Sequence, residues 1–273
     1  MQKQRKNILF KPRLIEAENG HFYSIKDAYL PSSTNILECF PNPGLTFWRE
    51  NTDASVIKQK QEDGKIQGSK VHHCCYLLSL GETINSEGLT NKQINLLGLS
   101  NPRLIQYLKN PLTKRERKCI ESFQVFYEDY QPETLKNEMI VYSLKNGYAG
   151  TLDWIGYLWN KKTKKRELWI IDYKISNSHS LAYDLQIASY YYALNESRKK
   201  RYKLKLGLLY LGKSTKKGYQ LKESKNKHIS FKNFLITKKL WHFLYPNVRP
   251  KIPAKVNDFK VKTYKYKGKK VKF

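Results

Sequence analysis

An α/β fold, with a mixed sheet packed between helices, is predicted by three features of this 273-residue sequence. Three successive segments, "EMIVYSL" (138–144), "AGTLDWIGYLW" (149–159) and "LWIIDYKI" (168–175), are rich in β-branched and aromatic residues and are separated by polar turns. A segment of helical spacing, "SLAYDLQIASYYYALNES" (180–197), then precedes a fourth apolar strand, "KLKLGLLYLG" (203–212). Helix-patterned segments stand before and after this block. The order helix–strand–strand–strand–helix–strand requires a crossover between parallel strands and so a sheet covered on both faces.

Taken in order, residues 21–50 are punctuated by Pro31, Pro41, Pro43 and Gly44 and read as short elements wrapped on a larger body, with "PSSTNILECF" a short helix opened by a Ser or Thr cap. Residues 51–67 are polar, a loop or an exposed helix. "GSKVHHCCYLLSL" (68–80) carries a helical stripe through Val71, Cys75 and Leu78. Residues 90–130 read as two or three helices, the last begun by Thr113 with Glu116 three later, a capping box. In the helix over 180–197 the apolar line runs through Leu181, Leu185, Ala188 and Tyr192. "GYQLKE" is expected to pair with the strand before it, and "SFKNFLITKKLWHFLY" to form a last amphipathic helix ending before Pro246. The domain boundaries expected are a wrapping segment over 1–67 of the same domain, a core over 68–249 with a helical insertion at about 82–130, and a basic flexible tail over 250–273. From Lys251 on, that tail holds nine Lys and one Asp.

The formal net charge is +28, from 51 Lys and Arg against 23 Asp and Glu. Such an excess suits a polyanionic partner, because neutralising phosphates supplies most non-specific affinity for nucleic acid; a Lys-rich proteome would give the same bias. Cys39, Cys74, Cys75 and Cys119 form no CxxC pair, which suits neither a zinc site nor a disulfide framework and points to a reducing compartment. No run of apolar residues is long enough to span a membrane. The basic start, "MQKQRKNILFKPR", lacks a long apolar region and reads as mature protein. "YYYAL" reads as packing more than as a base-stacking platform, because consecutive helical tyrosines point different ways, and "RKKRYKLK" reads equally as a solvated helix end or as a phosphate track.

The chemistry concentrates in "LWIIDYKI". Side chains two apart in a strand share a face, so Asp172 and Lys174 lie side by side among apolar neighbours. Buried ions of this kind are paired or bind a metal. The polar turn "NKKTKKRE" (160–167) folds this strand back on its predecessor and brings Asp153 within a residue or two of Asp172. Two carboxylates that close repel unless a cation lies between them, and Mg²⁺ prefers one or two carboxylates with water and phosphate. A plain Asp172–Lys174 salt bridge on a solvated face also accounts for D-x-K, and both readings stand at this point.

The pattern G-T-x-D, 18 residues, D-x-K, 11 residues, Q-x-x-x-Y, carried by "GTLD", "DYK" and "QIASY", resembles the PD-(D/E)XK nuclease superfamily, specifically its RecB-like exonuclease branch. "GSKVH" (68–72) is similar to that branch's Gly-x-x-x-His motif, and "LPSSTNIL" with Trp48 resembles phage-encoded members and the mitochondrial genome maintenance exonuclease. Leu152 replaces the proline that names the superfamily, and Ser33 stands where relatives often have Val.

The resemblance implies a restriction-endonuclease-like core (αβββαβ) with extra N-terminal helices. It implies Asp153 and Asp172 as metal-binding acids, Lys174 as the catalytic lysine, and His72 as a further ligand, with the adjacent His73 an alternative. The backbone carbonyl of Tyr173 would complete the protein's share of the shell. Gln186 and Tyr190 would contact the DNA backbone or brace the site, and Glu138 occupies a place where relatives often carry an acid. The implied activity is Mg²⁺- or Mn²⁺-dependent hydrolysis of single-stranded or frayed DNA ends, releasing a 5′-phosphate, in replication, recombination or repair within a bacterial or phage-infected cytoplasm. Replication or recombination proteins are the implied partners. No iron–sulfur cluster is expected, since no cysteine follows the helix of Gln186. A structure-specific endonuclease, an RNA nuclease and an inactive binding module remain as alternatives.

Overall fold

The computed structural model describes residues 12–25, 28–41, 43–99, 101–176, 178–196 and 202–251. The basic tail expected over 250–273 lies outside the described residues from position 252 on.

The centre is a five-stranded sheet of order β4-β5-β6-β7-β8. β4 (Glu133–Ser143), β5 (Tyr148–Asn160) and β6 (Lys165–Lys174) form an antiparallel meander. β6 then pairs in parallel with β7 (Lys205–Leu211), and the helix α7 (Leu181–Glu196) is the crossover between them. β8 (Tyr219–Glu223) returns antiparallel beside β7, and α8 (Lys227–Leu244) follows. This is the mixed sheet between helices expected from the sequence, and it is consistent with a restriction-endonuclease-like fold.

The two faces have separate cores. Leu152, Ile155, Ile170, Leu206 and Leu208 pack under α7 and α8 with Leu185, Ile187, Tyr190, Phe234 and Trp241. On the other face Trp154, Leu158, Trp169, Ile171 and Leu209 meet α3 (Ala54–Ser79) and α6 (Lys114–Tyr130) through Val71, Cys75, Phe123 and Phe126. Lying between the sheet and α8, α7 is buried around most of its circumference, so a single apolar stripe describes it poorly. Leu181, placed on that stripe by spacing, is exposed at the helix start. A third cluster joins α3 and α6 to α4 (Asn91–Leu97) and α5 (Pro102–Lys109) through Leu77, Leu89, Leu108 and Ile120. The capping box at α6 forms as read, with Glu116 N donating to Thr113 Oγ1 (3.2 Å) and Thr113 N donating to Glu116 Oε2 (2.8 Å).

Three features depart from the sequence reading. Residues 54–79 are one helix of 26 residues, so the polar stretch is the exposed half of the helix that carries the apolar stripe. β4 begins five residues before the expected 138, because "ETLKNE" lies at the solvated end of the strand and shows no apolar alternation. A three-stranded antiparallel sheet, β1 (Arg13–Ala17), β2 (Gly20–Ile25) and β3 (Ala28–Pro31), packs on β5 ahead of α1 (Ser33–Leu37) and the short α2 (Pro43–Glu50). Its strands are short and of mixed polarity, which hides them from a periodicity reading. Ser33 ties this segment to the core: its hydroxyl donates to Ala149 O (3.2 Å) and pairs with Ser189 Oγ (2.8 Å). No helix among the described residues is long and apolar enough to cross a membrane.

Candidate active site

The strand register assembles the acids. In the β5–β6 hairpin Trp154 faces Ile171, so Asp153 and Asp172 are the next residues along the two strands. In the β4–β5 pair Asn137 faces Trp154 and Met139 faces Leu152, which places Glu138 beside Asp153. Glu138 has φ 47°, in the left-handed region that a glutamate rarely occupies. Three carboxylates from three neighbouring strands therefore converge, and like charges so arranged repel unless cations intervene.

Cations of the chain arrive from both faces. From α3, His72 Nδ1 lies 3.4 Å from Asp153 Oδ1. Ligand atoms of His72, Glu138 and Asp153 fall within 4.8 Å of one another. Of the two adjacent histidines, His72 is the one that meets the acids; His73 is turned into protein, and burial followed by the neighbouring His72 lowers it to about 4. On the α7 face, Lys174 Nζ lies 2.5 Å from Asp172 Oδ2 and donates to Gln186 Oε1 at 2.9 Å. The Lys174–Asp172 contact is a close, buried ion pair in which the ammonium favours the ionised carboxylate. The face shared by Asp172 and Lys174 is thus the buried α7 side, not a solvated one.

Supporting contacts fix these groups. Tyr173 N donates to Asp153 Oδ2 at 2.6 Å, and its ring meets His72 edge-on at 5.7 Å. Gln186 Nε2 donates to Tyr190 OH at 2.8 Å. Tyr190 is 2 % exposed, so its ring lies in the core and its hydroxyl meets Gln186. A Cβ on Gly150 would come within 2.3 Å of Tyr190 Cε1, so the glycine of "GTLD" makes room for that ring.

The electrostatics are those of a site short of cation. Burial works against an ionised Asp172 and, with the charge of Asp153, outweighs Lys174 to raise its pKa. Burial also opposes ionisation of Asp153, but His72 and Lys174 outweigh it and lower the pKa. Glu138 stands at the solvent-open mouth yet is crowded by protein; that crowding, then Asp153, pushes it up to about 8. Burial would discharge His72, but Asp153 foremost, with Glu138 and Asp172, raises it to about 9. Lys174 is also raised: Asp172 and Asp153 overcome its burial.

The Glu138 and Asp153 carboxylates and the His72 imidazole make a donor set suited to a hard divalent ion, with Asp172 on the neighbouring strand. Any such ion must compete with the protons on Glu138 and His72.

Three residues without a sequence signal border the site. Tyr183 places its ring 4.5 Å from Lys174 Nζ. Thr34 Oγ1 lies 3.5 Å from Gln186 Nε2. Tyr23 OH bonds Thr151 Oγ1 at 2.9 Å, two residues before Asp153. Tyr23 comes from the unforeseen N-terminal sheet and Thr34 from the short helix expected over "PSSTNILECF"; Tyr183 belongs to no motif, and only the spacing from Gln186, one helical turn, could have pointed to it.

A family model for the PD-(D/E)XK nuclease superfamily matches residues 37–260. The chain belongs to the PD-(D/E)XK nuclease superfamily. No curated protein shows a significant match. Membership makes this chain a nuclease of a superfamily that hydrolyses nucleic acid and generally uses divalent metals. For a PD-(D/E)XK nuclease, Leu152 in place of the naming proline is accommodated as a fully buried core residue under α7.

Proposed function

We propose that this nuclease is a Mg²⁺- or Mn²⁺-dependent DNA exonuclease of the RecB-like branch, acting on single-stranded or frayed ends during replication, recombination or repair. The observation that carries the metal-dependent chemistry is the gathering of ligand atoms of His72, Glu138 and Asp153 within 4.8 Å of one another, with the Asp172 carboxylate on the neighbouring strand. The branch assignment is supported by convergence: the histidine of Gly-x-x-x-His on α3 meets Asp153, and the glutamine of Gln-x-x-x-Tyr on α7 holds Lys174 beside Asp172. The net charge of +28 supports a polyanionic substrate.

In this reading Asp153, Asp172 and His72 hold the ion, Glu138 adds a further carboxylate, and the Tyr173 carbonyl contributes from the backbone. A bound divalent ion would supply Lewis-acid polarisation of the scissile phosphate and an acidified water. Lys174, kept protonated by the acids, orients the attacking water or meets the charge that grows on the phosphate oxygens. Gln186 fixes the ammonium, Tyr190 fixes Gln186, and Tyr173 N fixes Asp153. Most of these groups are held before substrate arrives, which lowers the cost of reorganisation.

The test compares linear with circular single-stranded DNA, in Mg²⁺ and in EDTA, beside the Asp172→Ala/Lys174→Ala variant. Loss of the linear form alone, abolished by EDTA and in the variant, is the expected result. Cutting of the circle would replace exonuclease with endonuclease. Binding without cleavage of either would reduce the site to inherited architecture.

A further inference from the structure

α8 packs its line Ser230, Phe234, Thr237 and Trp241 into the domain. About a third of a turn away, Ile229, Ile236, Leu240 and Phe243 are all exposed, Phe243 at 81 %. With Asn233, also exposed, they follow one another at intervals of four, three, four and three residues. That is the a/d spacing of a coiled-coil seam, with Asn at an a position, the polar placement that fixes register between two helices. Exposed apolar side chains at such spacing form a seam with no second helix against it among the described residues.

The rim of the seam has one sign. Residues 224–251 contain no Asp or Glu, while Lys225, Lys227, Lys232, Lys238 and Lys239 fall within or just before α8. Lys232 and Lys239, both exposed, sit immediately beside the seam, where coiled-coil partners place their selecting charges. We infer that the outer face of α8 docks an acidic amphipathic helix of a partner protein, apolar at its own a and d positions and carrying Glu or Asp beside them.

Charge separates this occupant from the others. A second copy would bring the same lysine-edged seam against itself in a chain of net charge +28. Nucleic acid binds by stacking bases on aromatic rings, and three of the four apolar seam residues are aliphatic. A helix lying in a membrane surface presents a broad apolar face, whereas this one is a narrow line interrupted by Asn233. The surface involves none of the groups around Asp172, so the inference does not depend on the hydrolytic reading.

The probe is a fluorescent three-heptad peptide with Leu at a and d and Glu at e and g, measured by anisotropy against a scrambled peptide of equal composition. Full-length protein should bind the heptad peptide at least about tenfold more tightly than the scrambled one. Ile236→Ser/Leu240→Ser should erase that preference while leaving DNA hydrolysis and melting temperature unchanged. Equal binding of the two peptides, or a preference that survives the double substitution, would overturn the inference by reducing the effect to bulk charge. A concentration-dependent dimer in sedimentation that the double substitution abolishes would assign the seam to a second copy and overturn it. Loss of binding to anionic vesicles in the same variant would assign it to a membrane, with the same consequence.

Discussion

Two buried lysine–carboxylate pairs stand among the described residues, and they are finished differently. Lys70, on α3, lies 3.7 Å from Glu116 and also donates to the carbonyls of Tyr107 (3.2 Å), Asn110 (2.7 Å) and Pro111 (3.3 Å). Glu116 in turn accepts from Thr113 N and from Tyr107 OH (2.9 Å). Lys174 and Asp172 are closer together, at 2.5 Å, yet the lysine's further hydrogen bond goes to one glutamine side chain, and the charge of Asp153 works against an ionised Asp172. A completed buried pair locks elements together; here it ties α3 to the end of α5 and the start of α6. An open pair, crowded by a second carboxylate, bears a cost that its own contacts do not offset, and a cation can relieve it. That neighbouring carboxylate, more than burial or distance, separates the pair at Asp172 from the pair at Glu116.

Removing a lysine from each pair should therefore break different things. Lys70→Met leaves Glu116 buried without its cation and is expected to cost about 3–5 kcal/mol of stability, read from urea unfolding, with hydrolysis per folded molecule retained. Lys70→Met/Glu116→Leu should recover part of that loss, because no uncompensated charge remains. In Lys174→Met the order reverses. Hydrolysis is expected to fall by about 10²–10³, the scale of losing one donor to a developing charge, while melting moves little because Asp172 can take up a proton. A large loss of stability with an unchanged rate per folded molecule would erase the contrast.

The sequence shows the open pair and hides the closed one, for physical reasons. Asp172 and Lys174 are two apart in an apolar strand, so period-2 geometry alone joins them, and the hairpin spacing adds Asp153. The same geometry exposes most of the central sheet and its covering helices. Lys70 and Glu116 are far apart in sequence on two different helices, and only Glu116 declares itself, through the capping box with Thr113. The N-terminal sheet, and with it Tyr23, is invisible because its strands are too short and mixed to repeat. Glu138 marks the limit of motif reading: its place on β4 is legible, but its φ of 47° and its approach to His72 and Asp153 depend on register.

A third substitution tests whether the open pair depends on its support. Gly150→Ala drives a methyl toward Tyr190 Cε1, a 2.3 Å approach that the buried ring cannot yield to freely. Overpacking of this kind is expected to cost about 1–3 kcal/mol. Because Tyr190 carries Gln186, and Gln186 carries Lys174, the rate per folded molecule should fall as well. Reduced stability with an unchanged rate would mean that Lys174 is aligned without this chain of contacts.

The smallest effect belongs to Tyr183, whose ring lies 4.5 Å from Lys174 Nζ. The closed pair has a counterpart, the ring of Tyr107 at 4.9 Å from Lys70 Nζ, but there the hydrogen bonds already hold the ammonium in place. At Lys174 the ring covers a side of the cation that neither Asp172 nor Gln186 occupies, so its share of the positioning is greater. Tyr183→Phe keeps the π face and should keep the rate, whereas Tyr183→Leu should lower it about two- to fivefold, the equivalent of about 0.5–1 kcal/mol. Tyr107→Leu, by contrast, should register in unfolding and leave hydrolysis per folded molecule alone, since Tyr107 OH also donates to Glu116. If Tyr183→Phe and Tyr183→Leu lowered the rate equally, the phenolic hydroxyl and not the ring would be the contributing group. If neither changed it, Gln186 and Asp172 alone would suffice to hold Lys174.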